Sequence, residues 1–213
     1  LVRPGTPYLY GMNTAALDMK TTIVSYGSPE WSLGMAAWSD LARFYNLPVW
    51  GYAGATDSKV VDTQAGIEAT FSIMSAFLAR CTLNHDVAYM EYGSTSSMEM
   101  LVIADEIISM TRRFLEGVPV NPETLLLDVI GRVRPGGGFL ADESTFELFR
   151  QHQWQPALID RKRYEIWKKA GGLDMYARAN AHAKKILAQH QTPPLEAPVE
   201  QAIAQVLARR NAG

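Results

Sequence analysis

The first 140 residues alternate short β-type runs with longer segments whose apolar residues recur every three or four positions. Residues 6–10 (TPYLY) read as a strand, followed by a loop over 11–26 with an Asn-Thr pair and a Met-rich stretch. Ser28 before Pro29 is a helix start signal, and Trp31, Met35, Trp38, Leu41 and Tyr45 keep helical spacing up to a stop at Asn46. A second strand over 48–53 (PVWGYA) and a polar loop over 54–59 (GATDSK) lead to Asp62. That residue caps a long predicted helix with Ile67, Phe71, Met74 and Leu78 on one face, ending near Arg80. A third strand over 82–87 (TLNHDV), with room to run on towards Met90, and a loop over 91–96 (EYGSTS) precede a helix from Ser97 to about Leu115. Leu101, Ile108 and Phe114 are among its apolar positions, and Gly117 stops it. Asn121-Pro122 starts a further helix with Leu125, Leu126, Val129 and Ile130, and Phe139-Leu140 reads as one more short strand. Beyond it, 161–170, 176–190 and 199–210 are helical patterns split by Gly171-Gly172 and Thr192-Pro193-Pro194.

Each strand is followed by a helix long enough to cross back over a sheet. This is the signature of a parallel α/β fold, in which reactive residues sit in the loops after the strands. The pattern divides the chain into a strand–helix region over 1–150 and a helical carboxy-terminal extension over 151–213.

Composition narrows the function. Twenty Lys and Arg against twenty-two Asp and Glu give a formal charge of -2, too little positive charge to hold a nucleic-acid backbone. No apolar run approaches the roughly 18 residues that span a bilayer, and the first residues lack a charged-then-apolar signal pattern. With one cysteine, Cys81, read as a buried small apolar residue, the chain reads as cytoplasmic, with no membrane contact. The four histidines show no paired spacing for a metal, the glycines form no phosphate-binding loop, and Ser94, Ser96 and Ser97 lack a nucleophile elbow.

The polar and aromatic residues concentrate in three post-strand segments. The first ends in Tyr8, Tyr10, Gly11, Met12 and Asn13; the second holds Trp50, Tyr52, Thr56, Asp57, Ser58 and Lys59; the third holds Asn84, His85, Asp86, Tyr89, Glu91 and Tyr92. Aromatic faces with nearby carboxylates are what a methylated ammonium ion requires, since a quaternary nitrogen donates no hydrogen bond. Tyr10, Trp50, Tyr52, Tyr89 and Tyr92 with Asp57, Asp86 and Glu91 supply that set, although inward-facing aromatics also serve simply to fill a core. Asn84-His85-Asp86 is an unusually polar triplet for a parallel strand. Strand alternation turns His85 and Asp86 to opposite faces unless the strand ends between them, and a core histidine bonded to backbone is the competing reading.

In order along the chain, TDSKVVDTQAGIEA (56–69), LNHDVAY (83–89) and LVIADEI (101–107) resemble the carboxy-terminal half of the trimethylamine methyltransferase family, and the resemblance runs from residue 1 to about 170. It implies a (β/α)8 TIM-type barrel, of which this chain is the carboxy-terminal half plus a helical tail; a missing amino-terminal half or a second copy, giving a homo-oligomer, should cover the open side. The implied reaction moves a methyl group from a small methylated amine to the cobalt of a separate corrinoid protein, with no cofactor bound by the chain itself. The family's trimethylamine enzymes of methanogens carry pyrrolysine, which aligns with Lys59; plain lysine there resembles the members that take quaternary amines such as glycine betaine. A lysine offers a partner for a substrate carboxylate or for Asp57.

Carried over residue by residue, the resemblance assigns catalytic roles to Lys59, His85 and Glu91 and substrate contacts to Tyr10, Tyr52, Asp57, Asp86, Tyr89 and Tyr92, although Tyr92 in AYMEYG departs from the family pattern. Carnitine and proline betaine are alternative substrates, and a non-catalytic ammonium-binding module or an inactive truncated family member is the alternative function. A complete barrel needs roughly 250 residues, so 213 residues with a helical tail predict the second half of a longer enzyme.

Overall fold

A short antiparallel pair opens the structure, a computed structural model that describes residues 3–11 and 14–211. Strands β1 (Ala16–Leu17) and β2 (Val24–Ser25) fold back on each other inside the stretch expected to be loop. The turn between them is held by Asp18, whose carboxylate accepts from the Lys20 amide at 2.9 Å and the Thr21 hydroxyl at 2.9 Å. Helix α1 (Pro29–Phe44) starts after Ser28 with Pro29 in its first turn and ends before Asn46, which takes a left-handed φ of 53°.

The central strands are parallel but shorter than the sequence suggests. Of residues 6–10 only Tyr10 pairs, bridging to Val49, with the Tyr10 amide on the Pro48 carbonyl and the Trp50 amide on the Tyr10 carbonyl, both at 2.8 Å. Next come β3 (Trp50–Tyr52), α2 (Thr63–Leu78) and β4 (Leu83–His85), with β3 and β4 parallel in the register Trp50 to Leu83 and Tyr52 to His85. Strands β5 (Tyr89–Met90) and β6 (Thr95–Ser96) form an antiparallel hairpin where the sequence suggests a plain loop, and α3 (Met98–Leu115) follows, capped by Ser97. Three parallel strand positions in chain order, each followed by a helix, therefore stand at the centre of a mixed helix-and-sheet structure. Among the described residues the sheets are two-stranded and no barrel closes.

The core corrects the expected faces of α2 and α3. On α2 the buried residues are Ala65, Ala69, Ser72, Ile73 and Ala76, whereas Ile67, Phe71 and Leu78 are exposed. The reason is close approach: α2 packs against α1, α3 and β3, and alanines let those backbones come together where larger side chains would hold them apart. The displaced apolar residues Ile67, Phe71 and Met74 line a groove of about 1000 Å³ with Met100, Ile107 and Met110 of α3. On α3, Leu101 and Phe114 are exposed, and Met100, Ile103, Ala104 and Ile107 are buried. Cys81 is half-buried rather than enclosed; its sulfur lies 3.3 Å from the Ser39 hydroxyl, and burial pushes the thiol up.

After α3 come α4 (Pro122–Leu125) and α5 (Leu127–Val133), broken at Leu126 by a φ of 49°. Phe139–Ala141 is a tight helical turn, not a strand. Helices α6 (Glu143–His152), α7 (Tyr164–Lys169), α8 (Met175–Gln189) and α9 (Ala197–Asn211) complete the chain. Buried Glu106 of α3 accepts from the backbone amides of Ala157, Leu158 and Ile159 at 3.1, 2.9 and 2.9 Å. The chain divides into two compact units between Ala183 and Lys184. In the second, α9 carries an apolar stripe of Val199, Ile203, Val206 and Leu207. No helix among the described residues is long and apolar enough to cross a membrane.

Candidate functional site

The loop after β3 is buried from Ala53 to Thr56 and again at Ser58, and a buried loop must satisfy its backbone inside the protein. It does so with side chains of α2 and with the neighbouring post-strand loop. The Gly54 amide donates to Ser72 Oγ at 2.9 Å, the Thr56 amide to the Tyr89 carbonyl at 2.9 Å, and the Asp57 amide to Glu68 Oε2 at 2.7 Å. Ser58 donates from its amide to Thr56 Oγ1 at 3.0 Å and from its hydroxyl to Asp62 Oδ1 at 2.9 Å. Asp62 also caps α2 through the Ala65 amide at 3.0 Å, and these bonds hold its carboxyl below the usual carboxylate range.

The segment after β4 is sharply bent and buries Ala88 and Met90 in the core. Asp86, Ala88, Glu91, Tyr92 and Gly93 all have left-handed φ values, 68°, 69°, 50°, 48° and 87°. Only glycine adopts that region without cost, so the turn is held against strain. The Glu91 amide donates to the Ser58 carbonyl at 3.1 Å, and Ser94 Oγ donates to the Glu91 carboxylate at 2.8 Å, which ties the second loop to the first.

Two clefts open beside these loops and divide the residues expected at the site. Asp57, Lys59, Glu91 and Tyr92 line one of about 700 Å³ that also borders the β1–β2 turn and receives Asp18 and Glu30. Four acidic residues and one lysine line it, an excess of negative charge that favours a cation. The Asp57 carboxylate accepts from Ser25 Oγ and, at 2.8 Å, from the Tyr26 amide. Lys59 meets Asp57 through the backbone carbonyl, at 2.7 Å from Nζ, and not through the carboxylate.

Tyr52, His85 and Asp86 line the second cleft, of about 300 Å³, with Leu9, Trp31 and Trp50. Strand β4 ends at His85 and Asp86 turns back through its left-handed φ, so both reach this cleft, His85 Nδ1 lying 2.6 Å from Asp86 Oδ1. Tyr52 is buried, stacked on Trp31 at 3.5 Å and edge-on to Trp38 at 5.4 Å; Tyr26 covers the other end of the stack, 4.2 Å from Trp31. Burial drives the Tyr52 hydroxyl well above its usual range, with Cys81, Asp86 and Tyr26 adding to the rise. The exposed ring of this cleft is Trp50, 5.3 Å from His85. Tyr10 is half-buried against the core, 6.2 Å from Tyr45, and Tyr89 is exposed. Met12 and Asn13 lie outside the described residues.

Sequence reasoning missed Glu68, Ser25 and the Tyr26 amide, which hold Asp57 from two sides. No spacing rule connects them. The one available signal is that a short loop ending in small polar residues needs acceptors from the helix that follows it.

The sequence profile of the family described as Trimethylamine methyltransferase (MTTB) matches residues 1–213. Trimethylamine methyltransferase MttB2 of Methanosarcina mazei is 38% identical over 199 residues, which are 93% of this chain and 40% of that protein. The glycine betaine methyltransferase of Desulfitobacterium hafniense strain Y51 is 34% identical over 210 residues, 98% of this chain and 44% of that protein. The chain spans about two-fifths of the length of the curated relatives it matches. By the match over its whole length and by these identities, the chain belongs to the trimethylamine methyltransferase family.

Proposed function

We propose that this chain is part of a methyltransferase that takes a methyl group from a methylated amine, preferentially a quaternary one such as glycine betaine, with trimethylamine as the related substrate. The observation that carries the proposal is the family match over residues 1–213, with relatives named for both substrates. The three parallel strand positions and their helices fit the carboxy-terminal part of a (β/α)8 barrel, and the two clefts lie beside the loops that follow β3 and β4, where such barrels place their chemistry.

The acceptor is the low-valent cobalt of a separate corrinoid protein, a co-substrate that takes the methyl while the carbon–nitrogen electron pair stays on nitrogen. A quaternary nitrogen leaves as a neutral amine and needs no proton, so the chain's own residues orient the substrate and exclude water. In the larger cleft Tyr92 offers an exposed ring face, Asp57 and Glu91 offset the positive charge, and Lys59 is available to a substrate carboxylate; Trp50 and Asp86 would offer a ring face and a carboxylate in the smaller cleft.

The test mixes the chain with a corrinoid protein, a reductant and glycine betaine or trimethylamine, and follows methylation of cobalt by its absorbance. Methyl transfer supports the proposal. Binding without transfer supports the alternative of an ammonium-binding module, and failure to bind either amine removes both readings.

A further inference from the structure

We propose that Glu68 is the positioning residue of the 56–59 loop, and that Gly27 provides the clearance that lets its carboxylate reach that loop. Glu68 Oε2 accepts from the Thr56 hydroxyl at 2.5 Å and from the Asp57 amide at 2.7 Å, while Oε1 accepts from Gln64 Nε2 at 2.9 Å. Thr56 is fully buried, so Glu68 is the acceptor that lets its hydroxyl sit there without an unmet donor. The bond is relayed: Thr56 Oγ1 in turn accepts from the Ser58 amide at 3.0 Å, and the Ser58 hydroxyl reaches Asp62. Two carboxylates, one at the cap and one on the second turn of α2, thus hold the loop near both ends, and the residues they hold are those that present Asp57 and Lys59 to the larger cleft.

Simpler roles for Glu68 do not fit. The start of α2 is capped by Asp62, and among the described residues Glu68 forms no ion pair. Its carboxylate bonds instead to the loop and to Gln64. Gly27 supplies the independent observation. Its φ is not left-handed, so the backbone does not call for glycine, but a Cβ there would overlap the Glu68 carboxylate, closer than real atoms approach. The residue before it, Tyr26, donates its amide to the Asp57 carboxylate at 2.8 Å. Segment 25–27 and helix α2 therefore clamp the loop from two sides, and a Cβ at Gly27 would push the Glu68 carboxylate off its place on the loop.

The consequence for methylated-amine binding rests on the function proposed above; the clamping does not. Amide hydrogen exchange and calorimetric titration with tetramethylammonium and glycine betaine test both in the wild-type chain and in Glu68→Ala, Glu68→Gln and Gly27→Ala. Glu68→Ala and Gly27→Ala are expected to speed exchange at Asp57 and Ser58 by about tenfold or more, leaving α1 and α3 protected, and to weaken amine binding. Glu68→Gln, which keeps an acceptor for Thr56, is expected to restore part of the protection. Wild-type exchange at residues 57 and 58 in both Glu68→Ala and Gly27→Ala, or a rise spread evenly over all helices, overturns the proposal. If the wild-type chain binds neither amine, the functional reading fails while the exchange data still decide the role of Glu68.

Discussion

Trp31 and Tyr52 are joined twice: their rings stack at 3.5 Å with 16° between planes, and the Tyr52 hydroxyl donates to the Trp31 carbonyl at 2.8 Å. The pair fastens α1 to β3 under the smaller cleft. Tyr52→Phe is expected to cost about 1 kcal/mol, read from the urea midpoint at pH 8. Burial raises the Tyr52 hydroxyl above its ordinary value of 10.0, so the folded state favours the neutral form. That contribution is full below pH 10 and is lost as pH rises above it, because the unfolded chain ionises first. The advantage of wild type over Tyr52→Phe therefore shrinks at pH 11, and a gap that stays constant with pH contradicts the assignment.

Glu106 holds residues 157–159 through three amide donors from a buried position. Replacing it with Ala leaves those donors without their acceptor, at a cost of about 3 kcal/mol or more. The loss should show in the unfolding midpoint and as faster exchange confined to Ala157, Leu158 and Ile159. Unchanged exchange there would assign those amides to other partners.

Asp62 gives the site an acid limit. The Ala65 amide, and after it the Ser58 hydroxyl, lower its carboxyl below its ordinary value of 3.8. A lowered acid stabilises the fold above the unfolded value and loses that contribution as pH falls through the folded one. Asp62→Ala should lower stability at pH 7, as loss of a helix cap does. Below pH 3.8 the difference from wild type should narrow, and chemical unfolding at pH 7 and pH 3 compares the two conditions.

The two faces of α2 differ in their tolerance of change. Ile67→Gln and Leu78→Gln on the exposed face should alter stability by no more than about 0.5 kcal/mol. Ile73→Ala should cost about 2–5 kcal/mol, because Ile73 is fully enclosed. Equal costs on both faces in thermal unfolding would reverse the assignment.

Glu91 and Tyr92 face the larger cleft on a strained turn. Tyr92→Leu removes a ring face worth about 0.5–1 kcal/mol to a bound cation, a two- to fivefold loss of glycine betaine affinity. Glu91→Ala should weaken the same ligand and leave a neutral analogue unaffected. Calorimetry reads both, and unchanged affinity in both variants takes this cleft out of the site.

Much of the helical framework is legible in the sequence because its signals are local. Ser28-Pro29, Asp62, Ser97 and Gly117 each mark a helix boundary through one or two residues, and each boundary falls within a residue or two of the expected place. The inner face of α2 is not legible, because hydrophobic spacing favours Ile67, Phe71 and Leu78 whereas packing against three neighbours favours Ala65, Ala69 and Ala76. Residues 6–9 and Phe139-Leu140 show a second limit, since an apolar run becomes a strand only where a neighbour pairs with it. At the site, Lys59, Asp57, Glu91 and Tyr92 are visible as chemistry, but their division from His85 and Asp86 into separate clefts depends on the bend at Asp86.

The interlocked bonds of residues 53–58 also limit how this protein can diversify. Replacing Thr56 or Ser58 breaks a side-chain bond to Glu68 of α2 or to its cap Asp62, whereas Tyr92 makes no side-chain hydrogen bond among the described residues. Preference among methylated amines should therefore be easier to tune at Tyr92 than within that buried segment.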